Sequence, residues 1–286
     1  MDTTQIRCPS GLTGRIRKLL GRDFHALLID KPEEATPDQM ADLAAAIWVE
    51  TLDPGPYRLE GAGAPMFRSD VLIGDRQSAL IKSRIFTDGG KKPNRIQCPG
   101  CGGWFADVFD YGELRYRVWP DGDAAAPTGD ALAMKPHEAR KRFAAGEPCS
   151  TQMADGAVIH WNLLTGSLLS GSIRDYAMQF GSSIYSETAA RVQEIEGLDL
   201  SEIKDPAERR SAIFDRVTEY PDPEFWKLWE DIQDHECGPE TDMLKQCPIT
   251  GCGHRFGYQT DTMGFIVPAL PMRSMRLRAG TQTQRI

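Results

Sequence analysis

Gln97-Cys98-Pro99-Gly100-Cys101-Gly102-Gly103-Trp104-Phe105 and Gln246-Cys247-Pro248-Ile249-Thr250-Gly251-Cys252-Gly253-His254-Arg255-Phe256 are two versions of one pattern. Each opens on Cys-Pro, follows its second Cys with Gly, and runs into an aromatic strand. A chain that turns this sharply can aim two thiolates at one ion. Proline stiffens the entry, and the glycine accepts backbone angles closed to other residues while its neighbours' amides face sulfur. The first knuckle is Cys-x2-Cys and the second is longer, Cys-x4-Cys. Cys98, Cys101, Cys247 and Cys252 are therefore the candidate metal ligands, two half-sites whose inner members stand 146 positions apart. Combined, they predict one tetrahedral zinc per chain. Four thiolates leave no open coordination position, so such a zinc is structural, and replacing Cys98 or Cys247 by Ser is expected to lose metal and folding together. Two competing readings are a pair of unrelated reduced-cysteine turns and a site in which His254 substitutes for a thiolate.

Outward from the knuckles, the pattern predicts an α+β chain, a mixed helical body with a split four-cysteine zinc-ribbon-like module. Residues 1–66 read as a basic arm (Arg7, Arg15, Arg17, Lys18, Arg22), a strand-like Phe24–Asp30, and a helix. That helix starts at Thr36-Pro37 and ends near Leu52, with Met40, Leu43, Ala44, Ile47 and Trp48 at helical spacing. Residues 67–119 read as a helix over Asp70–Phe86, the first knuckle, and strand-like Phe105, Val108, Phe109, Leu114, Tyr116 and Val118. Proline and glycine make 120–153 an excursion around one short helix near 135–145. Residues 154–240 open on a strand, Val158–Leu164, and continue as an acidic helical insertion whose last two helices are split by Tyr220-Pro221-Asp222-Pro223. The second knuckle and its strands occupy 241–266, and 267–286 form a basic tail with Arg273, Arg276, Arg278 and Arg285.

The chain has 286 residues, enough to bury a sizeable core, with 33 Lys plus Arg against 41 Asp plus Glu. A net charge of -8 argues against wrapping nucleic acid over most of the surface, because that needs a cationic field. The apolar runs are far shorter than the roughly 20 residues that span a bilayer, so no membrane contact is expected. The start lacks the basic and then apolar pattern of a secretory signal, which, with an odd cysteine count of seven, predicts synthesis in a reducing cytoplasm without a disulfide framework. Cys8, Cys149 and Cys237 read as buried reduced thiols.

Motifs for catalysis are absent. There is no Gly-x4-Gly-Lys-Ser/Thr loop, no Gly-x-Gly-x-x-Gly between strand and helix, no nucleophile elbow and no His-Glu-x-x-His. His25, His137, His160, His235 and His254 read as packing or surface residues. Asp231, Asp234, Glu236 and Asp242 read as a solvated or partner-facing surface, and Phe225, Trp226 and Trp229 as core at helical spacing. No enzyme and no small-molecule substrate are indicated.

The order of features resembles the zinc-knuckle baseplate proteins of contractile-tailed bacteriophages, a family related to a baseplate hub protein of T-even phages. Three stretches carry the resemblance. Gly74-Asp75-Arg76 opens a helix that ends just before the first knuckle, Cys98-Pro99-Gly100-Cys101-Gly102 leads into Asp110-Tyr111-Gly112-Glu113-Leu114, and Phe225-Trp226-Lys227-Leu228-Trp229 runs through His235-Glu236-Cys237-Gly238-Pro239 to the second knuckle. Phe265-Ile266-Val267-Pro268 is similar to the family's end. The longer second knuckle, the 120–153 excursion and the basic tail depart from the pattern. The resemblance implies a structural virion protein of the tail baseplate that binds other baseplate and tail proteins. The alternatives are a transient assembly chaperone, or a zinc-ribbon nucleic-acid binder using Arg15, Arg17, Lys18, Arg276 and Arg278.

Overall fold

A computed structural model describes residues 2–27, 29, 35–58, 71–119 and 136–267 and has the α+β class that the sequence predicts. Residues 3–17 are a hairpin, not an arm. β1 (Thr3–Arg7) pairs antiparallel with β2 (Thr13–Arg17) across a turn in which Gly11 takes φ 103°. Ile6, Leu12 and Ile16 point inward and the arginines alternate with them, so the basic residues are the outer half of a two-sided strand pattern. Arg17 is the exception. It is buried and gripped at both ends by Asp23, at 2.7 and 2.8 Å.

The same Asp23 corrects the strand expected at Phe24–Asp30. Its carboxylate also accepts the Leu20 amide at 2.9 Å, and that reach-back starts a short helix, α1 (Gly21–Ala26). α2 (Pro37–Ile47) begins where expected, because Thr36 and Gln39 exchange side-chain-to-amide bonds at 3.2 and 2.8 Å. It ends before Leu52. Trp48 is already extended, and β3 (Trp48–Asp53) adds to β2 as the third strand of the sheet. α3 (Ile73–Asp88) is the central pillar, buried through Ala79, Leu80 and Ile81 and stopped by Gly89 at φ 84°.

Then come β4 (Lys91–Gln97), β5 (Trp104–Asp110), a 3-10 turn (Tyr111–Glu113), β6 (Tyr116–Arg117), α4 (Pro136–Ala145), β7 (Cys149–Gln152) and β8 (Val158–Trp161). α5 (Gly166–Leu168) passes through a π-helical turn (Leu169–Ile173) into α6 (Arg174–Phe180), followed by α7 (Ile184–Arg191), β9 (Val192–Ile195), α8 (Pro206–Thr218) and α9 (Asp222–His235). β10 (Gly238–Pro239), β11 (Asp242–Gln246), β12 (Arg255–Gln259) and α10 (Thr262–Ile266) complete the described chain.

Two apolar cores result. One joins the N-terminal sheet, α2, α3 and α10. The other joins the antiparallel sheet β7-β8-β9 to α7, α8 and α9 through Trp161, Ile159, Val217, Phe225, Leu228 and Ile232. The boundary expected at 153–154 thus falls inside the β7–β8 hairpin: Cys149 and Thr151 are buried in it, so the end of the supposed excursion is core. The short helix expected inside the excursion is α4, whereas residues 120–135, and all of the 267–286 tail except the buried Val267, lie outside the described residues. The helical insertion is sewn to the first core by backbone bonds from Ile73 to Leu164 at 2.9 Å and from Gly166 to Val71 at 3.1 Å. Arg191, buried, ties α7 to the end of α9 through Glu236, whose carboxylate also accepts the Leu164 amide at 3.1 Å. Among the described residues no helix is long and apolar enough to cross a membrane.

Candidate metal centre

Each knuckle is the turn of a hairpin. β4 and β5 pair from Lys91–Asp110 to Gln97–Trp104, and β11 and β12 from Asp242–Gln259 to Gln246–Arg255. In the first turn the Cys98 amide donates to the Gly103 carbonyl at 2.9 Å and Gly102 to the Cys98 carbonyl at 2.8 Å. In the second, Cys247 donates to His254 and Cys252 to Ile249, at 2.9 and 3.0 Å, and Gly251 and Gly253 take φ 82° and 59°. The extra residues of the longer knuckle are absorbed by that tight Ile249–Cys252 turn.

The turns face each other and bring all four sulfurs within 4.8 Å of one another. Cys98 lies 3.8 Å from Cys252 and Cys101 lies 3.9 Å from Cys247. A tetrahedron with metal–sulfur bonds of about 2.3 Å has edges of about 3.8 Å, whereas a disulfide would need about 2 Å. The four cysteines are therefore close enough to bind a metal ion, and spaced for an ion rather than for each other. Cys98 and Cys247 are buried and Cys101 is exposed, so the site opens only at its rim.

The electrostatics agree with that geometry. Burial pushes the Cys98 thiol up, but the amides of Cys101 and Gly100 and the neighbouring sulfurs outweigh it and bring it down to about 7. Cys247 goes the other way, to about 12, first through burial and then through its sulfur neighbours. One thiolate is welcome in this cluster and further ones repel it. A bound cation removes that repulsion, and with a divalent ion all four can ionise.

Glycines let the halves approach. A side chain at Gly100 would meet the His254 ring 2.6 Å away, and one at Gly103 would strike Ile249 of the opposite knuckle. His254 thus packs against Gly100 and stacks on Phe256, and the sulfur cluster is complete without it. Lys245 pairs with Asp107 at 2.5 Å, and Lys92 with Asp261 at 2.8 Å, further joining the hairpins to each other and to α10. The sequence reading did not anticipate these pairs, since the partners are more than a hundred residues apart and strand alternation alone assigns neither.

Cys8, Cys149 and Cys237 are free and buried, as expected, and burial raises all three thiols. Phe225 is core, but Trp226 is not: it is 43% exposed. His235 is buried with its Nδ1 2.6 Å from the Asp231 carbonyl. Parts of the stretches that carry the resemblance meet at α3, which contacts the Tyr111–Glu113 turn, β10 and α10. Asp75, buried near its start, accepts the Ser10 amide at 3.0 Å, the Ser10 hydroxyl, and the Tyr57 hydroxyl at 2.6 Å. Gly74 lies flat against the Cys237 carbonyl, and Tyr111 stacks on Phe265 with ring centroids 3.8 Å apart and donates to the Asp261 carbonyl at 2.8 Å. Compared with profiles of protein families, with curated proteins and with solved structures, the chain finds no match.

Proposed function

We propose that this chain is a structural, non-enzymatic subunit of a contractile-tail baseplate, and that Cys98, Cys101, Cys247 and Cys252 hold one zinc ion that fixes two hairpins as a rigid docking module. The observation that carries the zinc is the spacing of the sulfurs, which suits a tetrahedral ion. An all-thiolate tetrahedral set fits zinc or iron, and zinc needs no redox partner. With four protein ligands the ion has no position for water or substrate, which supports a scaffold over a catalyst.

The baseplate reading rests on the ordered resemblance around the knuckles. It gains support from the meeting of Gly74-Asp75, Tyr111, Cys237-Gly238-Pro239 and Phe265-Ile266-Val267 around α3, because residues that share one framework are expected to travel together. Neighbouring tail proteins are then the partners, and the virion is the location after synthesis in the host cytoplasm. Quantitative mass spectrometry of purified particles, normalised to a tail protein of known copy number, tests this. The expected result is a small fixed multiple per particle. Absence from particles together with abundance in infected cells contradicts it and favours a transient assembly chaperone.

A further inference from the structure

Two surfaces remain that neither the metal centre nor the cores use. On the β4–β5 hairpin the outward residues are Lys91, Pro93 and Arg95 on one strand and Trp104, Ala106 and Val108 on the other. Trp104 is 54% exposed and Val108 61% exposed, large values for apolar side chains held rigidly in a sheet. Register sets Pro93 opposite Val108 and Arg95 opposite Ala106, and the Arg95 guanidinium lies 5.0 Å from the Trp104 ring centroid. The face is an apolar strip edged by two cations.

The second surface is on α9. Asp222, Trp226 and Glu230 recur at four-residue spacing and form one exposed stripe with the indole between two carboxylates. Lys227 is drawn away from it to the Gln152 carbonyl at 3.1 Å. Lys91, Asp222 and Glu230 form no ion pair among the described residues.

The two surfaces match in sign and in length. Lys91 and Arg95 are about 13 Å apart along their strand. Asp222 and Glu230 are about 12 Å apart along their helix. Laid along each other, each carboxylate meets one cation, and Trp226, midway on the helix, falls on the Pro93–Val108 pair, midway on the strand. Aromatic anchors between compensating charges are what stable contacts use for affinity and for orientation, respectively.

We propose that the β4–β5 face of one chain docks on the α9 stripe of a second copy. The surfaces differ, so the contact is head-to-tail and repeats until a ring closes or a filament grows. The inference does not depend on the baseplate reading.

The test is the mass of the full-length, metal-loaded chain by light scattering and sedimentation over a rising concentration series. The wild type is expected to exceed one chain. K91E/R95E and D222K/E230K are each expected to remain single chains, with unchanged far-ultraviolet circular dichroism and metal content. Each variant then carries one sign of charge on both surfaces and repels its own copies, but each of its surfaces meets the opposite sign on the other variant, so an equimolar mixture is expected to regain association with the two variants alternating. Trp226→Ala, which changes no charge, is expected to weaken association at least tenfold, and it serves should a charge reversal fail to fold. A wild type that stays a single chain throughout overturns the proposal, as does association unchanged in the variants. Binding of single-stranded oligonucleotide through Lys91 and Arg95 by a chain that never self-associates would overturn it in favour of a nucleic-acid surface.

Discussion

The paired hairpins and the helical body hold their chain in opposite ways. Among the described residues of β4, β5, β11 and β12, Ile96 is the single buried hydrophobic, and the strands otherwise alternate between exposed and half-buried positions. The body around β7-β8-β9 buries Trp161, Ile159, Val217, Phe225, Leu228 and Ile232 almost completely. A two-stranded hairpin that buries so little apolar area is marginal on its own. An ion bound at the sulfur cluster would supply to the hairpins what area burial supplies to the body, and on that account the two regions should fail independently.

The largest break in that comparison is Cys98→Ser or Cys247→Ser. Structural zinc binding reaches about 10–16 kcal/mol in small zinc modules, so the hairpins should lose both metal and amide protection. Neither core contains a knuckle cysteine, which narrows the expected loss of folding to this module. Hydrogen exchange should find β4, β5, β11 and β12 open while Trp161 and its neighbours stay protected. Conversely, Phe225→Ala should cost about 3–5 kcal/mol in denaturant melts by leaving a cavity in the body, with metal content unchanged in the folded fraction.

The Arg17–Asp23 pair tests a third means of holding the chain. Removing one partner of a buried ion pair costs about 3–5 kcal/mol, so Asp23→Ala should lower stability by that order. Burial alone would raise the Asp23 carboxyl, but the Arg17 hydrogen bonds outweigh it and hold the group below its usual value. The unfolded state then binds the proton more readily. The pair's contribution is present above the unfolded value near 3.8 and lost as pH falls through the lower folded value, and acid titration of wild type against Asp23→Asn should isolate it. The smallest effect belongs to Lys245→Ala, which removes a half-buried pair with Asp107 and should cost about 1 kcal/mol, read as a small drop in the melting temperature of the hairpins.

Much of this was legible in the chain because its causes are local. Turns that open on Cys-Pro and close on Cys-Gly announce themselves, as do the Thr36–Gln39 helix start and the Tyr220-Pro221 break between α8 and α9. What stayed hidden was set by partners distant in sequence. Arg17 looks like one more arginine of a basic arm until Asp23 closes on it, and Phe24–Asp30 reads as strand until the same carboxylate caps a helix start. Cys149–Gln152 sits among breakers and becomes core only through pairing with Val158–Trp161. Trp226 shares the spacing of a buried helix face, but α9 turns it outward, and only the packing of Phe225 and Leu228 decides which side faces in.

The most direct test is elemental analysis with native mass spectrometry on the purified full-length chain, followed by thiol alkylation with and without a chelator. One zinc per chain is predicted, with Cys98, Cys101, Cys247 and Cys252 protected until the chelator is added. A folded chain carrying no metal, with the exposed Cys101 and its three partners alkylated at the rate of free thiols, would contradict the account.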